Sequence, residues 1–136
     1  MKTLKGERVK CLDTNFLIDV LQGRPDAKKV YESFVGEKII VPSIAAFELY
    51  SGLVYSSNPT KELAGIETEL SLLTMASFTK NEALTGGQIV YQMKKKGTPI
   101  SAMDAMIAAT AITNNCGLVT RDKNFKNIHG LQVVNY

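Results

Sequence analysis

The chain has no tryptophan, one histidine, two cysteines and four prolines among its 136 residues, and each scarcity removes a class of protein. A lone histidine, His129 in a loop-like segment, leaves no Ser/His/Asp or Cys/His set for nucleophilic catalysis. Cys11 and Cys116 sit in apolar, strand-like surroundings, where free cysteine is commonly just buried, so they do not read as a disulfide framework. Without a CxxC spacing or a second histidine, a structural zinc site lacks its ligands. Met1 to Lys10 is polar and has no apolar export-signal core. The longest apolar stretch, Ala102 to Ile112, is broken by Asp104 and is too short to span a bilayer. The expectation is a cytoplasmic protein with no membrane partner.

What is present is ordinary for a globular fold. Hydrophobic residues make up 45% and charged residues 21%, enough apolar surface to bury a core without cross-links. The length suits one domain over residues 1–136, with no linker and no repeat. Sixteen Lys+Arg against 13 Asp+Glu give a formal charge of +3, which permits a polyanionic partner without demanding one.

Short apolar runs alternate with longer helical stretches, a pattern that predicts βαβ units and an α/β fold with a central parallel sheet. Val9 to Asp13 reads as the first strand, and Phe16 to Leu21 as a short helix stopped at Gly23. Asp26 is placed to cap a second helix. Ile39-Ile40-Val41 is the next strand, after which Ser43 is placed to cap a helix carrying Phe47 and Glu48. Asn58-Pro59 opens a helix to about Leu70, and Leu72 to Phe78 fits a strand. Thr79 and Glu82 stand at capping-box spacing at the head of a helix to Lys96, ended by Gly97 and Pro99. Ser101 to Asn114 is an alanine-rich helix whose small side chains allow close packing. The strands Leu118–Thr120 and Leu131–Val134 follow, joined through Arg121 to Phe125.

Four carboxylates fall where these elements meet a sheet edge. Asp13 ends the first strand and Asp122 lies just past a late one; ligands of open parallel sheets bind beyond the carboxyl ends of strands. Asp104 stands in the first turn of the alanine-rich helix, and Glu48 lies one turn inside another, flanked by apolar residues. Each also has a plain structural reading. Asp13 suits an N-cap, and Asp104, three residues after Ser101, suits a capping-box acid. Glu48 suits an exposed helix face, and Asp122 an ordinary turn. Only five aspartates exist in the chain, however, and three occupy boundaries suited to one site. Like charges gathered there need a proton or a cation, and oxygen donors without His or Cys favour Mg²⁺ or Mn²⁺ over Zn²⁺.

Leu12-Asp13-Thr14-Asn15-Phe16-Leu17-Ile18 resembles the opening motif of PIN domains, and Ser43-Ile44-Ala45-Ala46-Phe47-Glu48-Leu49 their second. Ile100 to Ala111 resembles the third, and Leu118-Val119-Thr120-Arg121-Asp122-Lys123-Asn124-Phe125 the fourth. The likeness spans nearly the whole chain, and its size is similar to that of the VapC branch, the toxins of toxin–antitoxin pairs. The resemblance implies a three-layer α/β/α domain and a two-metal-like acidic site of Asp13, Glu48, Asp104 and Asp122, with Asn15 and Thr120 orienting the carboxylates. It implies a metal-dependent ribonuclease acting on RNA, with an antitoxin partner and a homodimeric state. The fourth motif often carries a second acid where this chain has Asn124, so one metal is expected to be held firmly and a second weakly.

Lys94-Lys95-Lys96, together with Arg121 and Lys123 beside Asp122, are candidates for steering RNA phosphates. The lysine run reads equally as a solvated helix end favoured by the helix dipole. Two other functions compete. A catalytically idle PIN-like scaffold would bind RNA or protein, against which all four acids are present. A phosphatase with an aspartate nucleophile would want a DxD pair, and position 15 is Asn.

Overall fold

The computed structural model describes residues 9–136; residues 1–8, most of the stretch read for an export signal, lie outside it. Among the described residues five strands form one parallel sheet: β1 (Val9–Leu12), β2 (Lys38–Pro42), β3 (Thr74–Ala76), β4 (Gly117–Val119) and β5 (Val133–Val134), in the order β3-β2-β1-β4-β5. In register, Cys11 stands beside Ile40 on one side and Leu118 on the other. The α-helices among the described residues are α1 (Thr14–Leu21), α2 (Pro25–Glu32), α3 (Ser43–Ser51), α4 (Pro59–Ser71), α5 (Lys80–Lys95) and α6 (Ala102–Thr113).

The strands carry continuous apolar runs because both sheet faces are covered. Successive strand residues point to opposite faces, and the core divides accordingly. Leu12, Val41 and Val119 pack with Phe16, Leu17, Ala27, Leu49 and Ile66 beneath α1 to α4. Cys11, Ile40 and Leu118 pack with Ile89, Met93, Ile107, Ala108 and Phe125 beneath α5 and α6. This is the three-layer α/β/α arrangement. Both cysteines are free and buried.

The chain winds from β1 outward to β2 and β3, then returns across the sheet to β4. β1 and β4 are therefore neighbours drawn from opposite halves of the winding. The crevice past their carboxyl ends is the topological switch point, where such sheets bind ligands.

Local chemistry explains most element ends. The Thr79–Glu82 capping box forms as expected, and Glu82 also accepts the Thr113 hydroxyl of α6 at 2.6 Å. The hydrogen bonds from Thr113 and Thr79 hold the Glu82 carboxyl down at about 2. α5 ends in a Schellman turn: Gly97, at φ +80°, donates to Lys94 O and Thr98 donates to Met93 O. Two expected caps are displaced by proline. Pro25 takes the first position of α2, so Arg24 is the N-cap and Asp26 lies inside the first turn. Pro42 closes β2 and caps α3, leaving Ser43 as its first helical residue. The last strand is shorter than Leu131–Val134, although Gln132 O still accepts the Leu118 N–H at 2.8 Å.

Candidate active site

Asp13 follows β1 directly, in extended conformation, and its N–H continues the ladder by donating to Val119 O at 3.1 Å. The residue is 3% exposed. Oδ1 accepts the Thr14 N–H at 2.8 Å, so Asp13 does cap α1. A cap accounts for one oxygen only. Oδ2 accepts the hydroxyl of Thr120, one residue past β4, at 2.7 Å. The Thr120 oxygen in turn accepts the Asp122 N–H at 3.0 Å, and this hydroxyl couples the ends of the two central strands.

Asp122 caps the 3₁₀ turn Lys123–Asn127 by accepting the Asn124 N–H at 2.9 Å. It is thus a turn residue and also a neighbour of the buried carboxyl. Asp104 lies in the first turn of α6, where Ser101 accepts its N–H at 3.1 Å. Glu48, half-buried on α3, accepts the Thr14 hydroxyl at 2.5 Å.

Burial pushes the Asp13 carboxyl up from 3.8 to about 6, against the pull of the Thr120 and Thr14 hydrogen bonds, and the charges of Asp104 and Asp122 add to the rise. Asp104 is raised too, first by burial, then by Asp122 and Glu48, with the Ser101 contact opposing. Asp104 and Asp122 therefore act on Asp13, and Asp122 and Glu48 act on Asp104. Among the described residues no three of them already close on one point as a finished cage. The donor chemistry nonetheless fits a hard divalent cation, which keeps several waters and needs few carboxylates. A carboxyl buried among acids favours binding a proton or a cation, which is the direction in which the Asp13 pKa moves.

The other expected site residues separate. Thr120 holds Asp13 directly. Asn15 is exposed, and among the described residues no hydrogen bond of its side chain is seen; Thr14, one position earlier, reaches Glu48. Lys94 and Lys95 are exposed in the last turn of α5, with Lys95 over the Tyr91 ring at 5.6 Å. Lys96 donates to Asn127 O at 3.0 Å, tying the run to the 3₁₀ turn that Asp122 caps. Lys123 is exposed. Arg121 pairs with the buried Asp19 of α1 at 3.2 Å. Sequence reasoning passed over Thr14, Asp19 and Tyr136. Asp19 carried the signal that singled out Glu48, an acid between apolar neighbours in a short helix.

The family model of the PIN domain matches residues 10–131. The chain belongs to the PIN domain family. It is 35% identical over 127 residues to Ribonuclease VapC1 of Rickettsia felis, covering 90% of this chain and 92% of that one. It is 29% identical over 123 residues to the tRNA(fMet)-specific endonuclease VapC of Salmonella typhimurium, covering 90% and 93%. Two solved structures share its fold closely. VapBC2 of Rickettsia felis, bound to a promoter DNA fragment, superposes with a TM-score of 0.86 at 27% identity over 94% of this chain and 98% of that chain. DNA-bound VapBC of Salmonella typhimurium gives 0.85 at 28% identity over 93% and 96%. Within the PIN family the chain stands with the VapC ribonucleases of toxin–antitoxin systems. Among the described residues no helix is long and apolar enough to cross a membrane.

Proposed function

We propose that this PIN-domain protein is a Mg²⁺- or Mn²⁺-dependent endoribonuclease, the toxin of a VapBC-type pair. The observation that carries the reading is the buried Asp13, bridged to β4 through Thr120 and surrounded by the charges of Asp104, Asp122 and, through Asp104, Glu48. Asp13, Glu48 and Asp104 would hold the cation, and Asp122 a second cation or a metal-bound water. When bound, the cation supplies a water of lowered pKa and offsets charge developing on the phosphate.

The chain's own residues prepare the site. Thr120 and the Thr14 N–H fix both oxygens of Asp13, so the carboxylate is oriented before any ligand arrives. The Thr14 hydroxyl does the same for Glu48. Ser101 starts α6 one turn before Asp104 and sets where that acid emerges. With Asn124 at the position of a second acid, the Asp122 side of the site carries less charge, which favours one firmly held metal.

The solved relatives are toxin–antitoxin complexes, which supports an antitoxin partner for this chain. Self-association is supported by apolar side chains on α5, where Leu84 is 63% and Tyr91 64% exposed. The test is cleavage of a panel of RNAs, initiator tRNA among them, by the purified chain with Mg²⁺, with Mn²⁺ and with EDTA. Cleavage in metal, none in EDTA and none by Asp13→Asn or Asp104→Asn is the expected result. RNA binding without cleavage in any metal would instead establish an idle binding scaffold.

A further inference from the structure

Arg121 sits between the two residues that join the strand ends, Thr120 and Asp122, yet its side chain is held by a different set of partners. Its Nη2 lies 3.2 Å from Asp19 Oδ2 and 3.5 Å from Oδ1. Its guanidinium lies over the Tyr136 ring, 5.7 Å from the centroid. That ring is wedged edge-on against the buried Phe16 at 4.7 Å, and its hydroxyl donates to Asp19 Oδ2 at 2.6 Å. Asp19 is 4% exposed and belongs to α1, the helix that Asp13 caps. Three side chains from α1, the β4 end and the β5 end thus form one closed network.

A buried carboxylate needs a positive partner, and neutralising Asp19 would be reason enough for a cation here. The geometry exceeds that need. Asp19 engages one nitrogen of the guanidinium, and among the described residues Nε and Nη1 donate to nothing. A guanidinium carries five N–H donors in a rigid plane. Here Asp19 holds one nitrogen, Tyr136 lies against one face, and the side chain remains 42% exposed. A planar donor group held by a buried carboxylate and a half-buried ring, with donors still unspent, matches a phosphate oxygen pair in shape and charge.

We propose that Arg121 is a phosphate-binding residue of this site, and that Asp19 and Tyr136 are the positioning residues that hold it. The ligand is a backbone phosphate of the RNA, so the proposal rests on the ribonuclease reading. Immobilising the guanidinium in advance removes the entropy cost that a free surface arginine would meet on binding.

The test is steady-state cleavage by the full chain, with Arg121→Lys as the deciding variant. Lysine keeps a charge opposite Asp19, and so keeps the fold, but lacks the planar fork. KM for RNA should rise about tenfold, the size of one charge-assisted hydrogen-bonded contact, with kcat little changed. Asp19→Asn and Tyr136→Phe should raise KM in the same direction by less. RNAs carrying a single neutral methylphosphonate, moved one position at a time, supply the second readout. At the phosphate that Arg121 binds, the difference between wild type and Arg121→Lys should vanish, while elsewhere it persists. Equal KM values, or a penalty that no methylphosphonate position relieves, would mean that Arg121 only neutralises Asp19. If the wild-type chain cleaves no RNA, the ribonuclease reading fails by itself. The same methylphosphonate series, read as binding isotherms in EDTA, then decides the role of Arg121 separately.

Discussion

Asp13→Asn is a change at a buried site residue that should make the metal-free protein more stable. The folded pKa of about 6 stands above the ordinary 3.8, so between those values the folded state holds more protons than the unfolded one. The associated stability is fully present below about pH 4 and is lost as pH rises through about 6. A rise from 3.8 to about 6 corresponds, at about 1.4 kcal/mol per pH unit, to about 3 kcal/mol lost by neutral pH. Asparagine has no charge to lose. Its amide oxygen can still accept the Thr14 N–H, but Thr120 must turn its hydroxyl to accept rather than donate. That exchange should cost about 1 kcal/mol. The net gain at pH 7.5 is about 2 kcal/mol, or about 6–8 °C for a chain of this size.

Thermal melts of both proteins in EDTA, from pH 4 to 7.5, measure it directly. The two curves should cross between about pH 4 and 5, with the variant slightly lower at the acid end and increasingly above wild type as pH rises. Divalent metal should reverse the order, because a ligand that binds only the folded site stabilises wild type as its concentration grows. A variant that melts below wild type at pH 7.5 in EDTA, or a difference that does not change with pH, would refute the reasoning.

Ser101→Ala removes the α6 cap and should cost about 1 kcal/mol while keeping the metal-dependent rise in melting temperature; Asp104→Asn should lose most of that rise. The pair separates cap from ligand, and an equal metal response in both would remove Asp104 from the site. Thr120→Val deletes the hydrogen bond that lowers the Asp13 pKa, so the acid limb of the cleavage pH profile should move up by about one unit; an unmoved limb would show that Asp13 does not set it. Replacing Lys94, Lys95 and Lys96 together by alanine should weaken RNA binding and flatten its logarithmic salt dependence by up to about 2. An unchanged slope would leave the run as a solvated helix end, with Lys96 serving only its tie to Asn127.

Much of this protein was legible in the linear sequence because its signals are local. Apolar runs of strand length separated by helical periods led to a parallel α/β sheet, and the Thr79/Glu82 and Asn58-Pro59 signals placed their helix starts. Positions 26 and 43 misled because a neighbouring proline outbids a polar side chain for the helix start. The four acids could be picked out by their places at element ends, yet each kept a local explanation, and Asp13 and Asp122 do cap helical turns in the fold. Only the tertiary structure decided that capping is not all they do. Parallel pairing of β1 with β4 brings Thr120 onto Asp13 across 107 positions, and burial pushes the pKa of that carboxyl up. Likewise Arg121 read only as a cation placed to steer phosphates, and nothing local announced its pairing with Asp19, 102 positions away. Caps and periodicities are settled within a few residues. Desolvation and pairing depend on what the fold brings across the sheet, which spacing along a chain does not encode.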